Sequence, residues 1–146
     1  MTYSAVSMKP KVYVTRRIPE AGLEILQRFC EVVYRNEVPP PSREELLEAV
    51  RDADALYCTL NERIDRELLD EAEKLRVIGT MSVGVDHIDV EYATSKGIYV
   101  VHTPGVLTET VADHAWALLL AAARRIAEAD GMIRRGEWTI PWAPTM

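Results

Sequence analysis

The stretch M-S-V-G-V-D-H-I, residues 81–88, holds the residues best placed to do chemistry. Gly84 stands between Val83 and Val85, after a β-branched run and before a polar segment. A glycine can take a positive φ, and it has no side chain to hold a ligand away from the main chain. In a turn from strand to helix, the N–H groups of Val83, Gly84 and Val85 can point into a crevice and hold an anion such as a carboxylate or phosphate. The two valines would add an apolar wall, which suits a small organic acid better than a polyphosphate. An ordinary strand-to-helix turn with no ligand fits the same residues.

Other reactive side chains are sparse. His87 is expected in the first turn of a helix, His102 at the end of a strand and His114 on a long helix. No two have metal-ligand spacing and no nucleophile stands beside one, so a non-catalytic role is expected for each. Gly79 and Gly84 have the spacing of a P-loop's glycines, but no Lys-Ser or Lys-Thr follows, and the chain has no G-x-G-x-x-G. Arg16 and Arg17 could add positive field at a crevice or be solvated loop residues.

The elements that must position the glycine turn follow from periodicity and punctuation. Lys11–Thr15, Cys30–Tyr34, Ala53–Thr59, Leu75–Thr80 and Ile98–His102 read as strands. Between them, Ile25, Leu26 and Phe29 form a helical stripe after Pro19. Ser42 with Glu45 forms a capping box ahead of Leu46, Leu47 and Val50. Asp65 caps a helix bearing Leu68, Leu69 and Ala72. Asp86 or Asp89 caps a short helix that ends near Lys96, with Gly97 as its stop. This alternation predicts an α/β fold, a flavodoxin-like doubly wound parallel sheet of order 2-1-3-4-5. In such sheets ligands sit beyond the carboxyl ends of the strands, where Gly84 lies. A long helix then runs from near Thr108 past Ala129. Its segment A-W-A-L-L-L-A-A-A is apolar on every side and calls for more cover than one small domain offers.

The 146 residues suffice for one domain with a real core. A formal net charge of −6 argues against nucleic acid or an anionic membrane surface as the main partner, while leaving room for a small anion. The longest apolar run, Ala115 to Ala123, is too short to cross a bilayer. Residues 1–8 lack the basic and apolar regions of a signal peptide and read as a loose leader. Cys30 and Cys58 belong to no C-x-x-C and read as reduced core thiols of a cytoplasmic protein.

The string V-G-V-D-H-I-D (83–89), then G-I-Y-V-V-H-T-P-G-V-L-T-E-T-V-A-D-H-A-W-A-L-L-L (97–120), resembles the NAD(P)-dependent D-2-hydroxyacid dehydrogenases, most closely their glyoxylate/hydroxypyruvate reductases. The upstream T-L-N-E-R-I-D (59–65) and L-R-V-I (75–78) fit the same pattern. The resemblance implies that residues 9–105 form the substrate domain. Residues 106–146 would then hold a dimerisation helix, near 108–130, and the start of a nucleotide-binding domain. It assigns the carboxylate of a small 2-oxoacid to the amides of Val83 and Gly84 with Val85 beside them, and gives Leu60 a place lining the pocket. Leu107, Thr110 and Val111 would lie near the nicotinamide side of the cleft that takes NAD(P)H. The family's Rossmann fingerprint and its catalytic Arg, Glu and His have no counterpart in these 146 residues. The expectation is therefore an N-terminal portion of such an enzyme: no catalytic residue, no bound cofactor, no reductase activity alone, and a homodimer through the helix. A non-catalytic α/β binding or self-association module is the alternative. A phospho-accepting receiver is disfavoured, since T-R-R stands where it needs clustered acids at the first strand's end.

Overall fold

The computed structural model describes residues 9–139; the leader at 1–8 and the last seven residues lie outside that range. Five strands form one parallel sheet: β1 (Lys11–Val14), β2 (Glu31–Tyr34), β3 (Ala55–Cys58), β4 (Val77–Thr80) and β5 (Tyr99–Val101). The spatial order is β2-β1-β3-β4-β5, as the alternation predicts. Each strand is one to three residues shorter than its apolar run, because the ladder ends before the hydrophobic pattern does.

Helices α1 (Glu20–Phe29), α2 (Arg43–Val50), α3 (Arg66–Glu71) and α4 (Val90–Ser95) link the strands. Their starts follow the sequence signals. Ser42 accepts from the Glu45 N–H while the Glu45 carboxylate accepts from the Ser42 N–H, both at 3.2 Å, so both halves of the capping box form. Asp65 accepts from the Leu68 N–H at 3.3 Å. Of the two acids proposed for α4, Asp89 is the cap, accepting from the Tyr92 N–H at 2.9 Å. Gly97, at φ +74°, occupies the left-handed position that stops this helix.

Strand alternation sends side chains to two faces. On one face Tyr13, Leu56, Cys58 and Ile78 pack with Leu46, Val50, Leu68, Leu69 and Ala93 from α2, α3 and α4. On the other, Val12 and Val14 pack with Ile18, Leu23 and Leu26 from α1 and the turn before it. Each fully buried aliphatic side chain contributes about 1.5–3 kcal/mol, so the first cluster dominates the stability of this region. Cys58 lies fully inside it, and burial together with the nearby Glu62 charge pushes its thiol up to about 12.

The chain divides into two compact units, one ending at Pro104 and the other beginning at Gly105. The second unit departs from expectation. The single helix expected past Ala129 is two: α5 (Thr108–Ala123) and α6 (Ile126–Arg134). Arg124 closes α5 with its N–H on the Leu120 carbonyl, and Arg125 then takes a left-handed conformation, φ 52°. No glycine or proline marks the break, so periodicity runs straight through it. The Arg125 guanidinium pairs with Glu128 on the first turn of the new helix. No residue of α5 or α6 is buried, and Trp116, Leu118, Leu119 and Leu120 are each more than half exposed. No helix of the described residues is long and apolar enough to cross a membrane.

Candidate functional site

The glycine turn leaves the carboxyl end of β4, and its backbone is held from behind at three successive carbonyls. The Thr103 N–H and hydroxyl both donate to the Ser82 carbonyl, at 2.9 and 3.0 Å. His102 Nδ1 lies 2.8 Å from the Val83 carbonyl, which can only accept, so Nδ1 carries the proton. The Ser82 hydroxyl donates to the Gly84 carbonyl at 2.7 Å. The described residues contain no cis peptide. In a planar trans peptide the N–H points opposite to its C=O. The N–H groups of Val83, Gly84 and Val85 therefore each point away from the group that holds the preceding carbonyl. None of the three donates to a protein acceptor among the described residues. Val83 is 45% exposed, while Gly84 and Val85 are half-buried.

Gly84 itself needs a correction. Gly97, Gly105 and Gly136 have positive φ, and Gly84 is not among them. A Cβ there would come within 3.3 Å of Asp86 Oδ2, the end of an exposed side chain. His87 is also displaced from its expected place. It lies in the turn ahead of α4, and its carbonyl accepts from the Ile64 N–H at 2.8 Å.

Ile64 and Ile88 form an isolated parallel bridge, which ties the end of the 59–65 loop to the residues that follow the glycine turn. Leu60, in the same loop, is 61% exposed. The buried carboxylate of Glu62 shapes that loop, with Oε2 accepting from the Thr59 N–H at 2.6 Å and the Thr59 hydroxyl at 3.0 Å. Arg16 Nη1 reaches the same hydroxyl at 3.4 Å, whereas Arg17 turns to Asn36. Of the two arginines, only Arg16 thus reaches the carboxyl end of β3.

Beneath the turn lies a polar layer that sequence reasoning missed. Thr80 Oγ1 is 2.7 Å from Ser82 Oγ and 3.1 Å from His87 Nε2. Thr15, Thr59, Glu62, Thr80 and Ser82 are all buried at the carboxyl ends of the strands or just beyond. Burial holds the His87 imidazole below its ordinary pKa, against the opposing pull of Glu62 and Asp86. The one available signal was the pair of hydroxyls two residues apart in T-M-S, 80–82, both of which turn inward.

Leu107, Thr110 and Val111 belong to the second unit, around the start of α5. All are exposed, Leu107 at 50% and Val111 at 62%. They offer two apolar surfaces and one hydroxyl. Among the described residues no group of His, Cys, Asp and Glu could hold a metal ion.

A profile of the family described as "D-isomer specific 2-hydroxyacid dehydrogenase, catalytic domain" matches residues 12–136, and the chain belongs to this family. It is 57% identical over 137 residues to a glyoxylate reductase of Thermofilum pendens, covering 93% of this chain and 40% of that one. A glyoxylate reductase of Korarchaeum cryptofilum is 50% identical, with 95% and 42% covered. Among solved structures, a Thermus thermophilus protein superposes with a TM-score of 0.84 at 46% identity, covering 93% of this chain and 43% of that one. An NADPH-dependent glyoxylate/hydroxypyruvate reductase of Sinorhizobium meliloti, solved with NADP and malonate, gives 0.71 at 30%, with 93% and 42% covered. The chain spans about two fifths of the length of the curated relatives it matches.

Proposed function

We propose that this chain is the substrate-recognition part of a reductase that converts a small 2-oxoacid, glyoxylate or hydroxypyruvate, to the 2-hydroxyacid. One observation carries the reading. Three consecutive amides, at Val83, Gly84 and Val85, have no protein acceptor among the described residues, while the carbonyls paired with them are all fastened. Such a run of unpaired N–H groups can donate to a carboxylate, and bonds to a charged acceptor are roughly twice as strong as neutral ones. Val83, Val85 and Leu60 would offer apolar flanks to a two- or three-carbon acid.

In the reaction proposed for the whole enzyme, NAD(P)H delivers hydride to the carbonyl carbon. This chain's residues would hold the carboxylate and orient the carbonyl, and none of them would transfer a proton. Leu107, Thr110 and Val111 suit the flank of a nicotinamide ring and form no cradle for a pyrophosphate. The names of the relatives support the substrate class.

Titration of the ¹⁵N-labelled chain with glyoxylate tests the reading. The amide signals of Val83, Gly84 and Val85 are expected to shift together and to saturate, and shifts confined to other residues would refute it. The purified chain is expected not to oxidise NADPH with glyoxylate, and measurable turnover would refute the assignment of no catalytic residue.

The exposed apolar side chains of α5 favour a second role for the same chain, self-association through that helix. Sedimentation over a concentration series should give a dimer that Leu119→Glu abolishes. A strict monomer at every concentration would remove this role.

A further inference from the structure

The hydroxyl–imidazole chain beneath the glycine turn has a definite direction. The Gly84 carbonyl can only accept, so the Ser82 hydroxyl spends its proton there. Ser82 Oγ must then accept from Thr80, 2.7 Å away, which uses the Thr80 proton. Thr80 Oγ1 in turn must accept at its 3.1 Å contact with His87, so His87 Nε2 carries a hydrogen. Every link is buried or half-buried: Thr80 is 2% exposed and Ser82 7%. The other ring nitrogen, His87 Nδ1, is buried without a partner among the described residues, as is Glu62 Oε1. A structural histidine normally uses both nitrogens. This one is committed to a single contact, and that contact leads to the peptide of the glycine turn.

We infer that His87 is a positioning residue for the substrate carboxylate, acting from Nε2–H through the Thr80 and Ser82 hydroxyls on the Gly84 carbonyl and so on the Val85 N–H of the same peptide. The inference rests on the carboxylate reading and adds a residue to it. The relay does two things. It fixes the plane of the Gly84–Val85 peptide, which aims the Val85 N–H. It also polarises that peptide, because a carbonyl that accepts a hydrogen bond leaves its own N–H a stronger donor. Low-dielectric surroundings raise both effects, and burial favours the neutral ring that keeps a charge out of this layer. The charges that act on the imidazole are those of Glu62, from the neighbouring loop, and Asp86, from its own turn.

The test uses the ¹⁵N-labelled 146-residue chain with glyoxylate as the probe. A long-range ¹H–¹⁵N correlation at neutral pH is expected to find His87 in the Nε2–H form. Affinity, read from the Val85 amide shift, is expected to fall about fivefold in His87→Leu and in Ser82→Ala, the loss of one oriented bond. His87→Gln, which can place an N–H near the same point, is expected to recover most of it. If His87→Leu fails to fold, the tautomer and Ser82→Ala still decide. An Nδ1–H ring, or wild-type affinity in a folded His87→Leu, would overturn the inference while leaving the carboxylate reading intact. Amides of Val83–Val85 that never move in the wild-type chain would overturn that reading, and this inference with it.

Discussion

The unit ending at Pro104 and the unit beginning at Gly105 are both rich in apolar residues, yet they use them in opposite ways. In the first, alternating strand residues and helical stripes close two clusters around the sheet, with Val14, Leu56, Ile64, Leu68, Leu69 and Ile78 almost fully buried. In the second, α5 has a more uniformly apolar sequence and not one buried residue. Apolar content says how much surface must leave water. Pattern says whether the chain can remove it from water by itself. A stripe can be satisfied within one domain, whereas an all-round apolar helix waits for something else.

The largest effect should separate the two units. Ile78→Ala is expected to cost about 3 kcal/mol in denaturant unfolding, the transfer loss plus a cavity. In dilute solution Leu119→Ala should change stability by less than about 0.5 kcal/mol, since the side chain is 57% exposed. Equal costs would break the comparison. Ser42→Ala, which dissolves the capping box of α2, is expected to cost about 1 kcal/mol, read as a shift in the unfolding midpoint at constant slope.

Next comes a pH effect centred on His87. Its folded-state pKa is lowered by burial, so on acidification the unfolded chain takes up this proton before the folded one does. Stability from this source is complete above about pH 6.5, the unfolded value, and is lost as pH falls from there toward the depressed folded value. His87→Gln should flatten the stability profile below about pH 6.5. An unchanged slope would place the titrating group elsewhere. The smallest effect should come from Asp52, whose carboxyl is held at about 2 by Lys11 and Lys74. The ion pairs are solvent-exposed, so Asp52→Asn should leave the unfolding midpoint unchanged within error.

The sheet was legible because its information is local. β-branched runs, the Ser42–Glu45 box, Asp65 and Gly97 each act within a turn or two of themselves, and the strand order follows from their alternation. The glycine turn was legible for the same reason, as a small residue between two valines after a strand. The groups that hold it were not. His102 and Thr103 reach the turn from beyond β5, and Glu62 shapes a neighbouring loop, contacts created by the fold. In sequence Gly84 suggests a conformational device, and in the structure its φ is not positive, because sequence cannot distinguish a glycine chosen for φ from one chosen for room. The break at Arg125 escaped for a related reason: a left-handed arginine leaves no mark on hydrophobic periodicity.

The central claim is that the amides at positions 83–85 receive a carboxylate. A crystal structure of this chain grown with glyoxylate tests it most directly. The carboxylate oxygens should lie about 2.9 Å from the Gly84 nitrogen and from at least one of its neighbours at Val83 and Val85. A well-ordered glyoxylate bound elsewhere, with these amides facing bulk solvent, would contradict it.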